Sequence, residues 1–333
     1  MTSDDPRILR RFVLVGLVLP VLLCTVAVIV QVSMFGSLPD PVATHWGANG
    51  RPDAYGPAWI YPLLTVLVGL GLPALMVGLM IPGLRRGDRG SAYRLMAALG
   101  LGLSALLAGL STASLVLQAG IADAAEAPSI VVAMIVSFAL AMGAGVLGWF
   151  LQPNEPWRAE RPAAVAPLDL APGEDAVWLQ AVSISRSGAI ALVVATVILV
   201  AATVVTAVTA PAGVTWILGI VTVVVGVLVA VMTRFRVRVD REGLTVTGVF
   251  GAPRFRVAVE DVVAASVVQI SPMADFGGWG VRLVPGRFGI VLRSGEGIEV
   301  TRAGRRAFAV TVDDARTGAS LLEAYARRAV SAG

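Results

Sequence analysis

One polar stretch of the chain, residues 35–57, carries the side chains that could do chemistry. It holds the single histidine, His45, with Asp40, Asn49 and Asp53 nearby. One imidazole with scattered carboxylates makes a weak metal site. A hydrolytic pair of His45 and Asp53 would need a nucleophile or a metal-bound water, and no motif supplies either. Two other interpretations stay open beside these: the pair orders the stretch by hydrogen bonds, or the stretch recognises an external peptide or lipid headgroup.

The backbone of this stretch, called the polar loop below, is predicted to be compact. The Leu-Pro-Asp-Pro sequence at residues 38–41 is stiff, because each proline fixes its own backbone and restricts the residue before it. Asn49-Gly50 is a strong turn signal, and Pro52 follows it closely. The resulting cap presents a set of candidate residues for recognition or loop ordering: Thr44, His45, Trp46, Asn49, Gly50, Arg51 and Asp53.

The elements that position the polar loop are predicted to lie in a membrane. The 333 residues are 56% hydrophobic and only 14% charged, against roughly 45–50% and 25% in soluble domains. The single cysteine, Cys24, lies within an apolar run, so an intramolecular disulfide and the usual paired-cysteine metal sites are excluded. We expect an integral membrane protein with no metal or other cofactor.

Six apolar runs are long enough to cross a bilayer core, which takes about 20 helical residues. The first has no convincing cleavage site and is predicted to be a retained helix rather than a secretory signal. The runs have no ionisable residue in their cores, which argues against an energised transporter. They comprise residues 12–34, 58–82, 95–118, 129–151, 188–210 and 212–233.

Two features inside these runs concern packing. Gly143, Gly145 and Gly148 spell a GxGxxG pattern within an apolar run and with no strand before it, so they predict close helix approach and not a dinucleotide site. The third run carries mildly polar positions for which we favour interhelical contact over a cavity: Ser104, Ser111, Thr112, Ser114 and Gln118.

The arginines predict the orientation, because positively charged loops stay on the cytoplasmic side. The loops of the opposite face carry Arg51 as their one basic residue. Both termini are therefore predicted to be inside, with the polar loop outside. The arginines on which this depends are Arg7, Arg10, Arg11, Arg85, Arg86, Arg89, Arg94, Arg158, Arg161, Arg186, Arg234, Arg236 and Arg238.

After residue 234 the pattern changes to short alternating runs typical of strands. Eight are predicted, followed by one helix over residues 313–330 whose start resembles a capping box formed by Thr311 and Asp314. This order predicts a small antiparallel barrel capped by the helix. The strands comprise residues 235–240, 244–250, 255–259, 262–270, 280–284, 289–293, 297–301 and 307–312.

Charge places this C-terminal domain close to a membrane surface. From residue 235 onward there are 14 arginines and 10 acidic residues, a net charge of +4, whereas residues 1–234 balance at 12 and 12. Arg302, Arg305 and Arg306 are candidates for contact with anionic lipids of the inner leaflet. Nucleic acid is not expected as a partner, because the chain has no recognised binding motif.

Residues 38–53, LPDPVATHWGANGRPD, resemble the signature of a domain of unknown function found in bacterial membrane proteins. That domain includes the N-terminal part of the immunity protein against the sporulation-delaying toxin, and its motif follows the first transmembrane helix. The resemblance covers residues 12–80 and implies recognition at the outer face. Residues 187–330 are similar to bacterial pleckstrin-homology-type domains, on the strength of two helices that lead into RVDREGLTV at residues 238–246.

We therefore expect a non-enzymatic protein of the cell membrane that binds or senses an extracytoplasmic peptide toxin or envelope component and is coupled to a cytoplasmic domain. Membrane lipids and a cytoplasmic protein are the other expected partners. The alternatives are a transporter or permease accessory subunit and a membrane-embedded hydrolase. The predicted parts are a four-helix domain over 1–153, a Pro/Ala-rich linker over 154–186 with an interfacial segment at 176–185, a helix pair over 187–234, and the β-rich domain over 235–333.

Overall fold

Six helices in the described part of the chain are long and apolar enough to cross a membrane. The structure, a computed structural model, describes residues 6–157, 159–171, 173–209 and 212–332. All six match predicted runs, so the prediction of a multi-pass membrane protein is confirmed by length and composition. Arg158, Pro172, Ala210 and Pro211 lie outside the described residues. The helices are Pro6–Ser37, Ile60–Arg85, Ser91–Val116, Val131–Phe150, Gly188–Val208 and Ala212–Met232.

The chain divides into two compact units. The helices α7 (Arg186–Thr209) and α8 (Ala212–Met232) contribute residues to both. The first unit comprises Met1–Pro156 and Ala195–Val223, and the second comprises Trp157–Val194 and Val224–Gly333.

Two of the first unit's membrane helices contain a π-helical segment. These segments, Leu14–Val18 and Thr65–Leu70, stand close before Pro20 and Pro73. A proline lacks the amide proton of a regular helical ladder, and a wider turn accommodates that loss. The α-helices of this unit are α1 (Pro6–Val13), α2 (Leu19–Ser33), α3 (Ile60–Leu64), α4 (Gly71–Arg85), α5 (Ser91–Val116) and α6 (Val131–Phe150).

Glycines let these helices approach one another closely. A Cβ atom on Gly102 of α5 would lie 3.0 Å from the Ala141 carbonyl oxygen of α6, and one on Gly148 would lie 3.0 Å from Val15. A Cβ on Gly145 would meet the Ala98 carbonyl at 3.5 Å. The packing interpretation of the GxGxxG pattern thus holds for Gly145 and Gly148. It does not hold for Gly143, whose Cβ position faces open space.

The polar loop folds as a hairpin around the predicted Asn-Gly turn. A 3-10 helix at Phe35–Ser37 is followed by the antiparallel strands β1 (Val42–Trp46) and β2 (Pro52–Gly56). A second 3-10 helix, Ala124–Glu126, packs against both strands. The loop is therefore ordered on the ends of the apolar helices.

The described part of the second unit contains ten strands, and all eight predicted strands and the terminal helix are among its elements. A short helix, α9 (Pro272–Phe276), was not predicted. The unit's other elements are β3 (Ala163–Ala164), β4 (Trp178–Ser183), β5 (Arg234–Asp240), β6 (Gly243–Gly248), β7 (Arg254–Ala258), β8 (Val262–Ile270), β9 (Gly280–Val284), β10 (Arg287–Val291), β11 (Gly295–Arg302), β12 (Ala307–Thr311) and α10 (Ala315–Ala332).

These strands form two sheets, so the predicted closed barrel is not confirmed. One sheet has the order β4-β5-β6-β7 and is antiparallel throughout. The other has the order β3-β8-β11-β12-β10-β9, in which β10 and β12 run parallel. Buried residues of both sheets, such as Phe235 and Ile298, share one core with Leu322 of α10.

Two local predictions in this unit need correction. Residues 176–185, predicted as an interfacial segment, contain the strand β4, which pairs with β5. Its Val182 is buried while Leu179 is exposed, a two-residue alternation that suits a strand with one covered face. Thr311 lies in β12 and does not cap α10. Asp314 caps it instead, because its Oδ1 accepts from the Thr317 hydroxyl at 2.9 Å and the Thr317 amide at 3.4 Å.

Candidate functional site

The turn of the polar-loop hairpin is held by its own backbone. The Gly47 amide donates to the Arg51 carbonyl at 2.8 Å, and the Gly50 amide donates to the Gly47 carbonyl at 2.9 Å. The Asn49 side chain accepts from the Arg51 amide at 3.0 Å. Gly50 has φ of +75°, a left-handed conformation that residues with a Cβ rarely adopt. The Asn-Gly signal therefore marks a real conformational requirement.

The predicted pair of His45 and Asp53 meets across the two strands. The Nδ1 atom of His45 lies 2.5 Å from Oδ1 of Asp53, and the side chains are 43% and 44% exposed. A carboxylate on Nδ1 fixes the orientation of an imidazole ring and leaves Nε2 for another partner. Among the described residues Nε2 has no hydrogen-bond partner. The arrangement offers one oriented imidazole nitrogen to a ligand.

The other candidate residues divide between anchoring and exposure. The Trp46 indole is half-buried and donates to the Pro128 carbonyl at 3.1 Å, which attaches the hairpin to the segment before α6. Thr44 is half-buried beside Gly56. Asn49 and Arg51 are exposed, and the Arg51 guanidinium forms no ion pair with another described residue.

The base of the hairpin is fixed by residues that were not predicted to belong to the site. The Gln118 side chain accepts from the Ala43 amide at 2.6 Å and donates to the Ala43 carbonyl at 3.1 Å. The Tyr61 hydroxyl donates to the same carbonyl at 2.6 Å. Gln118 follows the end of α5 and is fully buried, as are Ala43 and Val42. The detectable signal was a glutamine at the end of an apolar run.

Polar contacts between the helices continue below the hairpin. The Gln31 side chain donates to the Thr65 hydroxyl at 3.1 Å and to the Thr112 hydroxyl at 3.0 Å. The Ser104 hydroxyl donates to the Gly69 carbonyl at 2.6 Å. These bonds confirm the preference for interhelical contact at Ser104, whereas Thr112 makes an interhelical contact and also lines a groove.

An apolar groove of about 770 Å³ runs between α2, α5 and α6. Small residues such as Ala27, Ala108, Gly109 and Ala133 line it, and Ser129 lies at its edge. A Cβ on Gly50 would lie 3.0 Å from the Ser129 hydroxyl, so the groove lining reaches the hairpin turn. A ligand with a polar and an apolar part would fit this combination.

Two of the three arginines predicted to contact lipid have partners of their own. Arg302 donates to the Arg306 carbonyl at 2.8 Å through Nε, and Arg305 pairs with Asp261 at 3.1 Å. Burial lowers the pKa of the Arg302 guanidinium below its ordinary value, the charge of Arg305 lowers this pKa further, and Asp261 opposes both. The Arg306 guanidinium has no partner among the described residues.

The described residues contain no group of three or more His, Cys, Asp or Glu side chains that could hold a metal ion. Residues 22–70 match the family described as "Domain of unknown function (DUF1648)". The match includes the entire polar loop, which confirms the predicted resemblance to a domain of unknown function. The chain matches no curated protein and no solved structure.

Proposed function

We propose that this chain is a non-enzymatic membrane protein that binds an extracytoplasmic peptide toxin or envelope component through the polar loop. In this proposal both termini and the β-rich domain are cytoplasmic, as the arginine distribution favours. That domain is pleckstrin-homology-like, an assignment supported by two sheets that share a core with a terminal helix. The biological role is immunity or a response to envelope stress.

The observation that carries the proposal is the contrast between the base and the surface of the hairpin. Its base is fixed through the Ala43 backbone by Gln118 and Tyr61, and its side is attached through Trp46. Its surface leaves the Nε2 atom of His45 and the guanidinium of Arg51 without partners among the described residues. A rigid display of unpaired polar groups lowers the ordering cost of binding, as expected of a recognition surface.

The groove beneath the hairpin supports a membrane-active ligand. Its lining is almost entirely apolar and ends at Ser129, beside the hairpin turn. A peptide with an apolar face would bury that face in the groove while its polar groups meet the hairpin. This chemistry is typical of peptides that act on membranes.

Coupling to the β-rich domain requires a physical connection between the two units. The helices α7 and α8 provide a covalent one, because each contributes residues to both units. They are also bonded to each other through the hydroxyls of Thr203 and Thr222 at 2.7 Å. In this proposal a change in the first unit reaches the second through this helix pair.

The proposal is tested by survival of cells challenged with a panel of membrane-active peptide toxins. Cells express the wild-type chain, His45→Ala, Asp53→Ala or Arg51→Ala at matched membrane abundance. Glu126→Gln, an exposed change next to the hairpin, is the control. We expect protection by the wild type and the control and loss of protection in the three variants. Absence of protection by the wild type would overturn the immunity role.

A hydrolase is the second candidate, because the contact between His45 and Asp53 would orient a general base. It predicts turnover of ester or peptide substrates by the purified protein that His45→Ala abolishes. Binding without turnover would favour recognition, whereas turnover lost in His45→Ala and retained in Glu126→Gln would favour the enzyme.

A further inference from the structure

The membrane helix α8 leads directly into the four-stranded sheet. Its 21 residues span about 30 Å, the thickness of a hydrocarbon core, so Met232 ends at the membrane boundary and β5 begins at Arg234. The junction is held by a bond from the Ile184 amide to the Thr233 carbonyl at 2.9 Å. Met232 also packs against the core of the sheet domain. The first residues of β5 are therefore held at the level of the lipid headgroups.

The turn between β6 and β7, residues 248–253, lies at this same end of the sheet. Gly248 pairs with Phe235, so the turn begins beside Arg234. It is tight, because the Gly251 amide donates to the Gly248 carbonyl at 2.9 Å. Its apex carries Phe250, which is 72% exposed, and Val249, which is 40% exposed. Two exposed apolar side chains at the headgroup level indicate contact with lipid.

Uncompensated positive charge surrounds the turn. Arg236 pairs with Thr247, and Thr247 pairs with Arg254, so the three side chains form a row on the exposed face of the sheet. Arg234, Arg236 and Arg254 form no ion pair with another described residue. In the next row, farther from α8, Arg238 is neutralised by Asp240 at 2.6 Å and Arg256 by Glu242 at 3.2 Å. The free arginines are those nearest the membrane end of α8.

We propose that the β6–β7 turn docks into the leaflet at which α8 ends. Phe250 and Val249 enter the headgroup boundary, and Arg234, Arg236 and Arg254 bind the phosphates of anionic phospholipids. The proposal goes beyond ligand recognition at the polar loop and does not depend on it. It also replaces the lipid contact predicted from sequence at Arg302, Arg305 and Arg306, called the Arg302 group below.

The Arg302 group lies at the opposite end of β5. Arg305 binds Asp261, and the nearby Val259 amide donates to the Glu242 carbonyl, beside the β5–β6 turn. That turn lies about 20 Å along the strand from Arg234. This distance places the group away from the headgroups that meet the start of β5.

The test is the depth of a nitroxide label on the full-length chain in nanodiscs of phosphatidylcholine, with or without phosphatidylglycerol. Cys24→Ala removes the native thiol, and the label is attached at Phe250→Cys or, as a control, at Leu283→Cys, an exposed position in β9. Faster spin relaxation of the nitroxide in the presence of oxygen shows that the label lies in lipid. Faster relaxation in the presence of a water-soluble nickel chelate shows that it lies in water. Near-ultraviolet circular dichroism verifies that each variant is folded.

We expect the label at residue 250 to be shielded from nickel in the anionic discs and the label at 283 to be accessible. Arg236→Gln and Arg254→Gln should each lower the ratio of docked to undocked turn about fivefold. Arg305→Gln and Arg306→Gln, which remove the same charge, should leave the ratio unchanged. Access of nickel to the label at residue 250 or equal docking in neutral discs would overturn the proposal. Magnetic coupling between the labels of two chains would overturn it too, because the turn would then contact a second chain and not lipid.

Discussion

Gln118 binds both polar groups of the Ala43 backbone, accepting from its amide at 2.6 Å and donating to its carbonyl at 3.1 Å. Both residues are fully buried. A buried amide left without a partner costs about 1–3 kcal/mol. The one glutamine side chain therefore fixes the start of β1 on the end of a membrane helix.

Gln118→Leu should loosen the hairpin, because it leaves the Ala43 amide unpaired. We expect faster hydrogen exchange at residues 42–46 and a loss of about 1–3 kcal/mol in stability. Gln152→Leu is the matched control, since Gln152 donates to the Arg94 and Gly148 carbonyls and not to the hairpin. It should leave exchange in the hairpin unchanged. Unchanged exchange in Gln118→Leu would show that Tyr61 alone holds β1.

Gly50→Ala should strain the hairpin turn. The glycine has φ of +75°, and a Cβ would lie 3.0 Å from the Ser129 hydroxyl. A left-handed alanine costs about 1 kcal/mol. Gly36→Ala, in the same loop, is the control because a Cβ there meets no atom within 4 Å. The midpoint temperature of thermal unfolding in detergent should fall for Gly50→Ala and stay near the wild-type value for Gly36→Ala. Equal midpoint temperatures for the two variants would contradict the strain.

The contact between His45 and Asp53 should contribute little to stability. Each side chain is more than two-fifths exposed, and exposed ion pairs are worth about 0.2–1 kcal/mol. A double-mutant cycle with His45→Ala, Asp53→Ala and the double variant measures the coupling free energy. If the coupling free energy is near 0.5 kcal/mol, a loss of protection against toxins in these variants is due to lost recognition and not to lost stability. A coupling above about 2 kcal/mol would instead make the pair a structural element of the loop.

The helices and strands could be predicted from sequence because each has its own hydrophobic period. The Asn-Gly turn was equally local. The link between Gln118 and Ala43 joins positions far apart in the chain, and its partner is a backbone group that any residue would supply. Residue types therefore cannot reveal it. β4 was missed for a related reason: its neighbour β5 follows only after two membrane helices.

The arginines also show that contacts between distant positions cannot be predicted from the sequence alone. Arg302, Arg305 and Arg306 are close in sequence and so predicted a basic patch, but folding gives Arg305 an acidic partner in Asp261. Arg236 and Arg254 are 18 positions apart and are brought into one row by Thr247 of the strand between them. Charge clusters on sheets depend on register, which requires the pairing of strands to be known.

Arg287→Met should destabilise the β-rich domain. Its guanidinium lies 2.5 Å from a Glu299 oxygen, 3.9 Å from an Asp275 oxygen and 4.8 Å from the Phe276 ring centre. The carboxylates are 10% and 2% exposed, so removal of the arginine leaves two buried negative charges without their counterion. The pair with Glu299 is a charge contact without hydrogen-bond alignment, since this Glu299 oxygen has no hydrogen-bond partner among the described residues.

Removing one member of a buried ion pair costs about 3–5 kcal/mol. We expect a loss of this size for Arg287→Met in denaturant unfolding followed by tryptophan fluorescence, to which Trp157 contributes through an indole that donates to Asp275 at 2.8 Å. Glu299→Gln in the same chain should restore part of the loss, because it removes one unpaired charge. Arg282→Met, at an exposed arginine that bonds only the Trp279 carbonyl among described partners, should cost less than about 1 kcal/mol. Equal losses for the two arginine variants would contradict a role for buried charge.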